Sequence, residues 1–325
     1  MARRQQRRRP RFPVNGWLVL DKPLNLTSND ALGQLKRIFH PEKVGHAGTL
    51  DPLATGCLPI AFGEATKTVP YIMDGRKVYR FEVTWGTQTT SDDAEGEPVK
   101  TSDVRPTQEE ILAILPEFRG RIEQVPPIFS AIKVDGNRAY DLARDGEDVK
   151  LEARVIEVHR LDLVECIDEN RAVFEAECGK GTYVRSLARD LGERLGTCGY
   201  VTDLRRLLVG PFGEEQMVTL DELRAAKEAM MVEVGEGEEP PVLNPLENAE
   251  LIGYIKPVET ALHQFAEVRI TGDAAAKVKR GNPVLLRGAD APIGPEEIYV
   301  VSGGKLIAFG EVSKGEFKPK RVFNL

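Results

Sequence analysis

Apolar residues recur in this chain at two periods, one typical of helices and one typical of strands. Segments of the two kinds follow one another in no regular order. A helix is predicted from Thr27 to about Phe39, since its apolar residues share one face: Ala31, Leu32, Leu35, Ile38 and Phe39. Further helices are predicted over 107–115, 182–195 and 219–231, and strands over 17–20, 79–85, 155–164 and 172–177. This irregular order predicts an α+β fold with a largely antiparallel mixed sheet flanked by helices, not a doubly wound one.

The C-terminal part of the chain has a different pattern. From about residue 266, short apolar runs alternate with glycine-rich turns: 268–270, 284–286, 298–301 and 306–309. They predict a small, compact β-rich barrel. An acidic segment rich in glycine and proline precedes it and indicates a domain boundary. We therefore expect an arginine-rich tail over 1–12, one large domain over 13–231, an acidic linker over 232–265 and the β-rich module over 266–325.

Charge is distributed unevenly. The formal net charge is -7, but seven glutamates and no Lys or Arg lie between Glu228 and Glu250, so the remainder of the chain is neutral. The overall acidity therefore does not exclude a polyanionic partner. Six arginines lie in the first 11 residues, and no apolar segment follows them. The pattern therefore argues against a secretion signal and a membrane span, and it favours the cytoplasm. The four cysteines, which lack C-x-x-C spacing, are expected to be reduced thiols.

One segment carries a clear chemical signal. Asp51 lies in a stretch with Gly45, Gly48 and Gly56, and Pro52 follows it directly. Glycines allow backbone angles closed to other residues, and a proline disfavours helical angles at the residue before it. The pattern predicts a rigid loop that presents one carboxylate.

Residues 45–56, Gly-His-Ala-Gly-Thr-Leu-Asp-Pro-Leu-Ala-Thr-Gly, resemble the catalytic loop of the TruB family of bacterial tRNA pseudouridine-55 synthases. Further motifs follow in the family's order at 16–23, 28–30, 63–67, 77–80, 91–96, 126–133 and 181–190. The resemblance covers residues 14 to about 230 and implies the pseudouridine-synthase fold. A weaker resemblance, at 279–284 and 308–312, implies that the C-terminal barrel is an RNA-binding PUA-like domain.

The resemblance also implies roles for individual side chains. Asp51 would be the catalytic carboxylate, Arg185 the helix-borne guanidinium that holds it ionised, and Tyr79 the aromatic ring on which the target uracil stacks. Tyr79 has also been proposed in the family as a base that removes a sugar proton. The positions that surround the target nucleotide would be His46, Tyr183 and Leu204. Residues from about 124 to 150 would be the insertion that grips the tRNA T arm, with Lys133 among its phosphate contacts.

The implied reaction isomerises uridine to pseudouridine. The bond from ribose C1′ to N1 breaks and C1′ rejoins uracil at C5, so no cofactor is required, and the histidines show no metal-ligand spacing. The sequence leaves open whether Asp51 bonds to C1′ or assists removal of a sugar proton. We expect a monomer that binds tRNA and needs no guide RNA. We expect it to bind neither a membrane nor DNA.

Three alternatives differ in class. A guide-RNA-dependent synthase would also carry a PUA domain, but the bacterial-style insertion argues against it. A tRNA-folding chaperone would not need chemistry, and the presence of Asp51, Tyr79 and Arg185 favours catalysis. A hydrolase with an aspartate nucleophile would need a second acid and a magnesium site, and residues 51–55 offer no second carboxylate.

Overall fold

The structure is a computed structural model, and it describes residues 10–130, 132–134, 137–138, 151–229, 243–286 and 294–325. Within those ranges, no helix is long and apolar enough to cross a membrane. Most of the arginine-rich tail, most of the predicted gripping insertion and residues 232–242 of the acidic segment lie outside the described residues.

A mixed sheet of nine strands forms the centre of the large part of the chain that precedes the C-terminal module. The strands before the C-terminal module are β1 Gly16–Lys22, β2 Val44–His46, β3 Ala54–Phe62, β4 Lys77–Trp85, β5 Thr87–Thr89, β6 Pro98–Thr101, β7 Gly120–Gln124, β8 Lys133–Val134, β9 Asn137–Arg138, β10 Arg154–Cys166, β11 Arg171–Cys178, β12 Gly199–Val209 and β13 Met217–Val218. The order in the sheet is β13-β1-β3-β12-β4-β11-β10-β7, and β2 also pairs with β3. Only the β1–β13 and β3–β12 pairs are parallel, which confirms the largely antiparallel sheet.

Apolar layers cover both faces of the sheet. Along β1, Leu18 and Leu20 belong to the larger core, whereas Trp17 and Val19 point to the opposite face and pack in a second cluster. Successive side chains of a strand point to opposite faces, so a strand that is covered on both sides must be apolar throughout. This explains the continuous apolar run in β1.

The helices are α1 Ser28–Phe39, α2 Val69–Asp74, α3 Gln108–Ile114, α4 Val184–Arg194, α5 Leu220–Glu228, α6 Ala249–Gly253 and α7 Gly272–Lys279. Threonines cap three of the predicted helices: the side chain of Thr27 accepts a hydrogen bond from the backbone of Asp30, and Thr107 and Thr219 form capping boxes. Such caps satisfy amide groups that would otherwise lack partners at a helix start. Helix α4 lacks this kind of cap, because Tyr183 precedes it.

The C-terminal module is a separate sheet of five strands, ordered β14-β16-β17-β18-β15. Its strands are β14 Ala266–Arg269, β15 Val284–Leu285, β16 Glu296–Ser302, β17 Lys305–Ser313 and β18 Glu316–Val322. An aromatic cluster of Tyr71, Phe265 and Phe309 joins it to the part of the chain that contains the nine-stranded sheet. The Lys67 ammonium also donates to the Val322 carbonyl at 2.8 Å. The predicted β-rich module is confirmed, although the sequence pattern missed α7 and β18.

Candidate active site

Asp51 lies in the loop that connects β2 to β3. Gly48 and Gly56 adopt φ values of +98° and +93°, as the sequence predicted. At Gly56 a Cβ atom would come within 2.3 Å of the Arg206 carbonyl oxygen, because β3 and β12 run side by side there. The prediction was wrong for Gly45, which has no positive φ and has open space where a Cβ would lie.

Two buried side chains fasten the residues on either side of Asp51. The Ser28 hydroxyl donates to the Leu50 carbonyl at 3.0 Å and accepts from the Leu50 amide at 2.8 Å. The Lys22 ammonium donates to the carbonyls of Pro23, Leu26 and Pro52 at 2.9, 2.6 and 3.3 Å. The loop is therefore held by its main chain, and the Asp51 side chain does not take part in holding it.

The Asp51 carboxylate meets the Arg185 guanidinium. The distance from Arg185 Nη2 to Asp51 Oδ2 is 3.0 Å, and the Asp51 side chain is 39% exposed whereas that of Arg185 is 6% exposed. Arg185 lies in the first turn of α4, which carries it beneath the loop. A buried cation thus faces a carboxylate that remains open to solvent and to a substrate.

Arg185 has three further partners. Its Nη1 donates to the Ser91 carbonyl at 3.0 Å and lies 3.4 Å from the Asp93 carboxylate, while its Nη2 donates to the Phe129 carbonyl at 2.9 Å. Asp93 is itself buried and accepts hydrogen bonds from the Ser91 hydroxyl and the Glu95 amide. The guanidinium orientation is therefore fixed, because its donors are shared among several acceptors.

A pocket of about 320 Å³ opens above this pair. Its lining includes Asp51, Asp93, Glu95, Phe129 and Arg185. Residues 51–55 contain no second carboxylate, as the sequence shows. The fold nevertheless brings two more carboxylates, Asp93 and Glu95, to the same pocket. Burial and the charges of Asp93 and Asp51 raise the pKa of Glu95. Among the described residues, no group of three or more His, Cys, Asp or Glu side chains is placed to hold a metal ion.

Tyr79 lies on β4 and His46 on β2, two strands of the central sheet that do not pair with each other. Burial raises the pKa of the Tyr79 phenol, and the charge and hydrogen bond of Arg206 oppose that rise. Tyr79 is therefore a neutral phenol near pH 7. Burial and Arg206 lower the pKa of His46, so its imidazole is neutral too, and its Nδ1 has no partner among the described residues.

Tyr183 and Leu204 occupy different environments. The backbone of Tyr183 is clamped by the Gln124 amide, which accepts from its N–H at 2.9 Å and donates to its carbonyl at 3.1 Å. Burial raises the pKa of the Tyr183 phenol, and the Asp51 charge adds to the rise. The Leu204 side chain is buried in the main core. The side chain of Lys133 lies outside the described residues.

Sequence reasoning missed three buried polar residues of the site: Lys22, Asp93 and Arg206. The first two lie in motifs that carry the family resemblance, at 16–23 and 91–96. The signal that was available for them is a charged residue inside an otherwise apolar or turn-forming motif. Arg206 had no such signal, because it follows Arg205 directly in the same strand. Only the pairing register of β12 determines which of the two arginines faces Tyr79.

The buried Lys22 ammonium makes stability depend on pH. Burial lowers its pKa to about 8 from an ordinary 10.5. Between these values the native state binds fewer protons than the unfolded state, so the free energy of unfolding rises with pH, by at most about 1.4 kcal/mol per pH unit. Urea unfolding at pH 7.5 and 9.5 should show wild type gaining stability relative to Lys22→Met. The prediction would be contradicted if the free energies of unfolding of wild type and Lys22→Met differed by the same amount at both pH values. Lys36→Met, at an exposed lysine of α1, provides the control.

Comparisons with known proteins identify the family of the chain. The model for TruB family pseudouridylate synthase, N terminal domain, matches residues 36–184, and that for the tRNA pseudouridylate synthase B C-terminal domain matches residues 185–263. The Cbf5 chain of a Cbf5-Nop10-Gar1 complex superposes with a TM-score of 0.68 at 26% identity, covering 95% of this chain and 85% of that one.

Two bacterial relatives align with nearly the whole chain. The tRNA pseudouridine synthase B of Bradyrhizobium diazoefficiens is 55% identical over 320 residues, which is 98% of this chain and 89% of that protein. That of Agrobacterium fabrum is 52% identical over 327 residues, which is 99% of this chain and 98% of that protein. With such identity over such coverage, the chain belongs to the TruB family of pseudouridylate synthases.

Proposed function

We propose that this protein converts uridine 55 in the T arm of tRNA to pseudouridine, with Asp51 as the catalytic carboxylate. The observation that carries the proposal is the contact of 3.0 Å between Asp51 and the buried Arg185, at the mouth of a pocket. The names of the bacterial relatives support tRNA as the substrate. The choice of uridine 55 rests on the resemblance of the catalytic loop.

The chemistry requires a carboxylate beside ribose C1′. As the bond from C1′ to N1 breaks, positive charge develops on the sugar, and an ionised Asp51 either stabilises that charge or bonds to C1′. The freed uracil turns until C5 faces C1′, the new carbon–carbon bond forms, and the C5 proton is lost while N1 gains one. Arg185, 3.0 Å from the acid, keeps it oriented throughout.

The substrate uridine must leave its stack to reach this pocket. An aromatic face offsets part of the unstacking cost, and stacking on one side chain contributes roughly 1–3 kcal/mol. Tyr79 supplies that face in the proposal, with His46 and Tyr183 around the nucleotide. Because these groups are neutral near pH 7, they can enclose a base without carrying charge of their own.

The protein is proposed to work as a monomer, in the cytoplasm and without a guide RNA or a cofactor. The relatives that align with it almost end to end are tRNA pseudouridine synthases B, whereas the Cbf5 match is at 26% identity. The bacterial relatives therefore outweigh the structural neighbour that was solved with protein partners. Residues 124–150, with Lys133, are proposed to grip the T arm.

Tritium release tests the proposal. Purified protein is incubated with EDTA and an unmodified tRNA transcript labelled as [5-³H]uridine, and the modified position is mapped by carbodiimide treatment and primer extension. We expect stoichiometric release and a single modification at position 55. A transcript with cytidine at position 55 is the control and should release nothing. Tight tRNA binding without release would refute stand-alone catalysis, and release from another position would refute the choice of uridine.

A further inference from the structure

Strand β12 carries two adjacent arginines that point to opposite faces of the sheet. In the register, Arg206 lies opposite Tyr79 of β4 and Gly56 of β3, while Arg205 lies opposite Arg80 and Thr55. Cross-strand partners place their side chains on the same face. Arg206 therefore shares the face of Tyr79, and it is 2% exposed.

Arg206 makes contacts to the main chain on both sides of Asp51. Its Nε donates to the Cys57 carbonyl at 2.8 Å, and its Nη2 donates to the Gly48 carbonyl at 3.0 Å. The first carbonyl belongs to β3, which follows the catalytic loop, and the second lies within the loop itself. One rigid guanidinium thus spans the segment that contains Asp51.

The same guanidinium reaches the aromatic side of the site. Its charge and a hydrogen bond to the Tyr79 phenol oppose the rise in that group's pKa, and its charge lowers the pKa of the His46 imidazole. Arg206 thereby connects three parts of the site: the loop before Asp51, the ring of Tyr79 and the imidazole of His46.

The partners of Arg206 differ in kind from those of its neighbour Arg205. Arg205 pairs with the carboxylates of Asp21 and Glu214, each at 2.9 Å. Arg206 has no carboxylate within ion-pair distance in the described part of the chain, although it is the more deeply buried of the two. A buried cation without a counter-ion is costly, and an apolar side chain would fill a purely structural position at less cost. The presence of Arg206 at this position therefore points to the geometry that it imposes.

We propose that Arg206 is a positioning residue for the reaction, which fixes the loop carrying Asp51 relative to Tyr79. This inference rests on the proposed role of Asp51. Arg206 is not among the residues that line the pocket above Asp51 and Arg185. It should therefore affect the chemical step and leave RNA affinity unchanged. A lysine cannot replace it fully, because one ammonium does not reproduce the planar fork of donors.

The experiment compares Arg206→Met and Arg206→Lys with Arg205→Met as the matched control. Single-turnover tritium release, tRNA affinity by filter binding and thermal unfolding are measured for each variant. Since a displacement of about 1 Å can cost about 100-fold in rate, we expect a loss of that order in Arg206→Met and a smaller loss in Arg206→Lys. The tRNA dissociation constant should stay within about twofold of wild type in both, since phosphate contacts dominate affinity. Arg205→Met should retain the wild-type rate.

A second comparison tests the link to Tyr79. If Arg206 acts partly through the Tyr79 hydroxyl, adding Arg206→Lys to the Tyr79→Phe variant should lower the single-turnover rate by a smaller factor than adding it to wild type. A double-mutant cycle measures the difference between the two factors. Equal factors in the two backgrounds would overturn that link. Wild-type rates in folded Arg206→Met and Arg206→Lys would overturn the inference, as would rate and affinity falling together. If Arg206→Met does not fold, the lysine variant decides. An inactive wild type, or an active Asp51→Asn, would instead refute the proposed function.

Discussion

Replacing Asp51 by asparagine is expected to reduce single-turnover tritium release by at least about 10³-fold, because an amide can neither bond to C1′ nor stabilise positive charge there. The change keeps the shape of the side chain and leaves its 39% exposed position almost unaltered. The loop should also keep its conformation, since Ser28 and Lys22 hold it by the main chain of Leu50 and Pro52. Loss of rate should therefore occur without loss of folding or of tRNA binding.

Asp21→Asn is the matched control for this prediction. Asp21 also pairs with an arginine, Arg205, at 2.9 Å, but it lies outside the pocket. The same chemical change there should leave the rate within about twofold of wild type, because exposed or partly exposed ion pairs contribute little. Thermal unfolding and filter binding confirm that both variants are intact. Substantial release by Asp51→Asn would contradict a catalytic role and direct attention to Asp93 or Glu95 in the same pocket.

The elements with strong local patterns could be predicted from the sequence. Helix α1 begins after Thr27 and ends at Phe39 as expected, since a cap and an apolar stripe both mark it. Strand β4 was predicted because apolar and polar residues alternate regularly along it. The prediction began at residue 79, two residues after the true start of the strand. Helix α7 was missed, since the apolar residues that it buries are only Ala275 and Val278, too few to distinguish it from the neighbouring strands and turns.

The site was predictable only where the family resemblance reached. Without it, nothing in the spacing of α4 distinguishes Arg185 from Arg189, which pairs with Asp92 instead of Asp51. The contact between Arg206 and Gly48 joins residues 158 positions apart. It depends on the register of β12, and a shift by one residue would exchange Arg206 for Arg205 at that face. Such contacts are set by tertiary pairing and leave no local signal.

Replacing Arg185 by methionine is expected to damage both stability and catalysis. Asp93, with a side chain 3% exposed, would lose its cationic partner, and the carbonyls of Ser91 and Phe129 would lose a donor. Breaking a buried pair in this way lowers the free energy of unfolding by about 3–5 kcal/mol. Asp51 would lose its orienting contact at the same time, which should reduce the rate by about 100-fold or more. Urea unfolding and single-turnover tritium release measure the two effects separately.

The double variant Arg185→Met, Asp93→Asn separates the two roles of Arg185. Removing the Asp93 charge relieves the uncompensated burial, so the double variant should regain part of the stability lost in Arg185→Met. It restores no cation beside Asp51, so its rate should stay at the level of the single variant. The physical reason is that Arg185 gives Asp93 a counter-ion and gives Asp51 an orientation through different nitrogen atoms, Nη1 and Nη2. Recovery of the rate together with stability would show that Arg185 serves only the fold, and that the contact with Asp51 is not needed for catalysis.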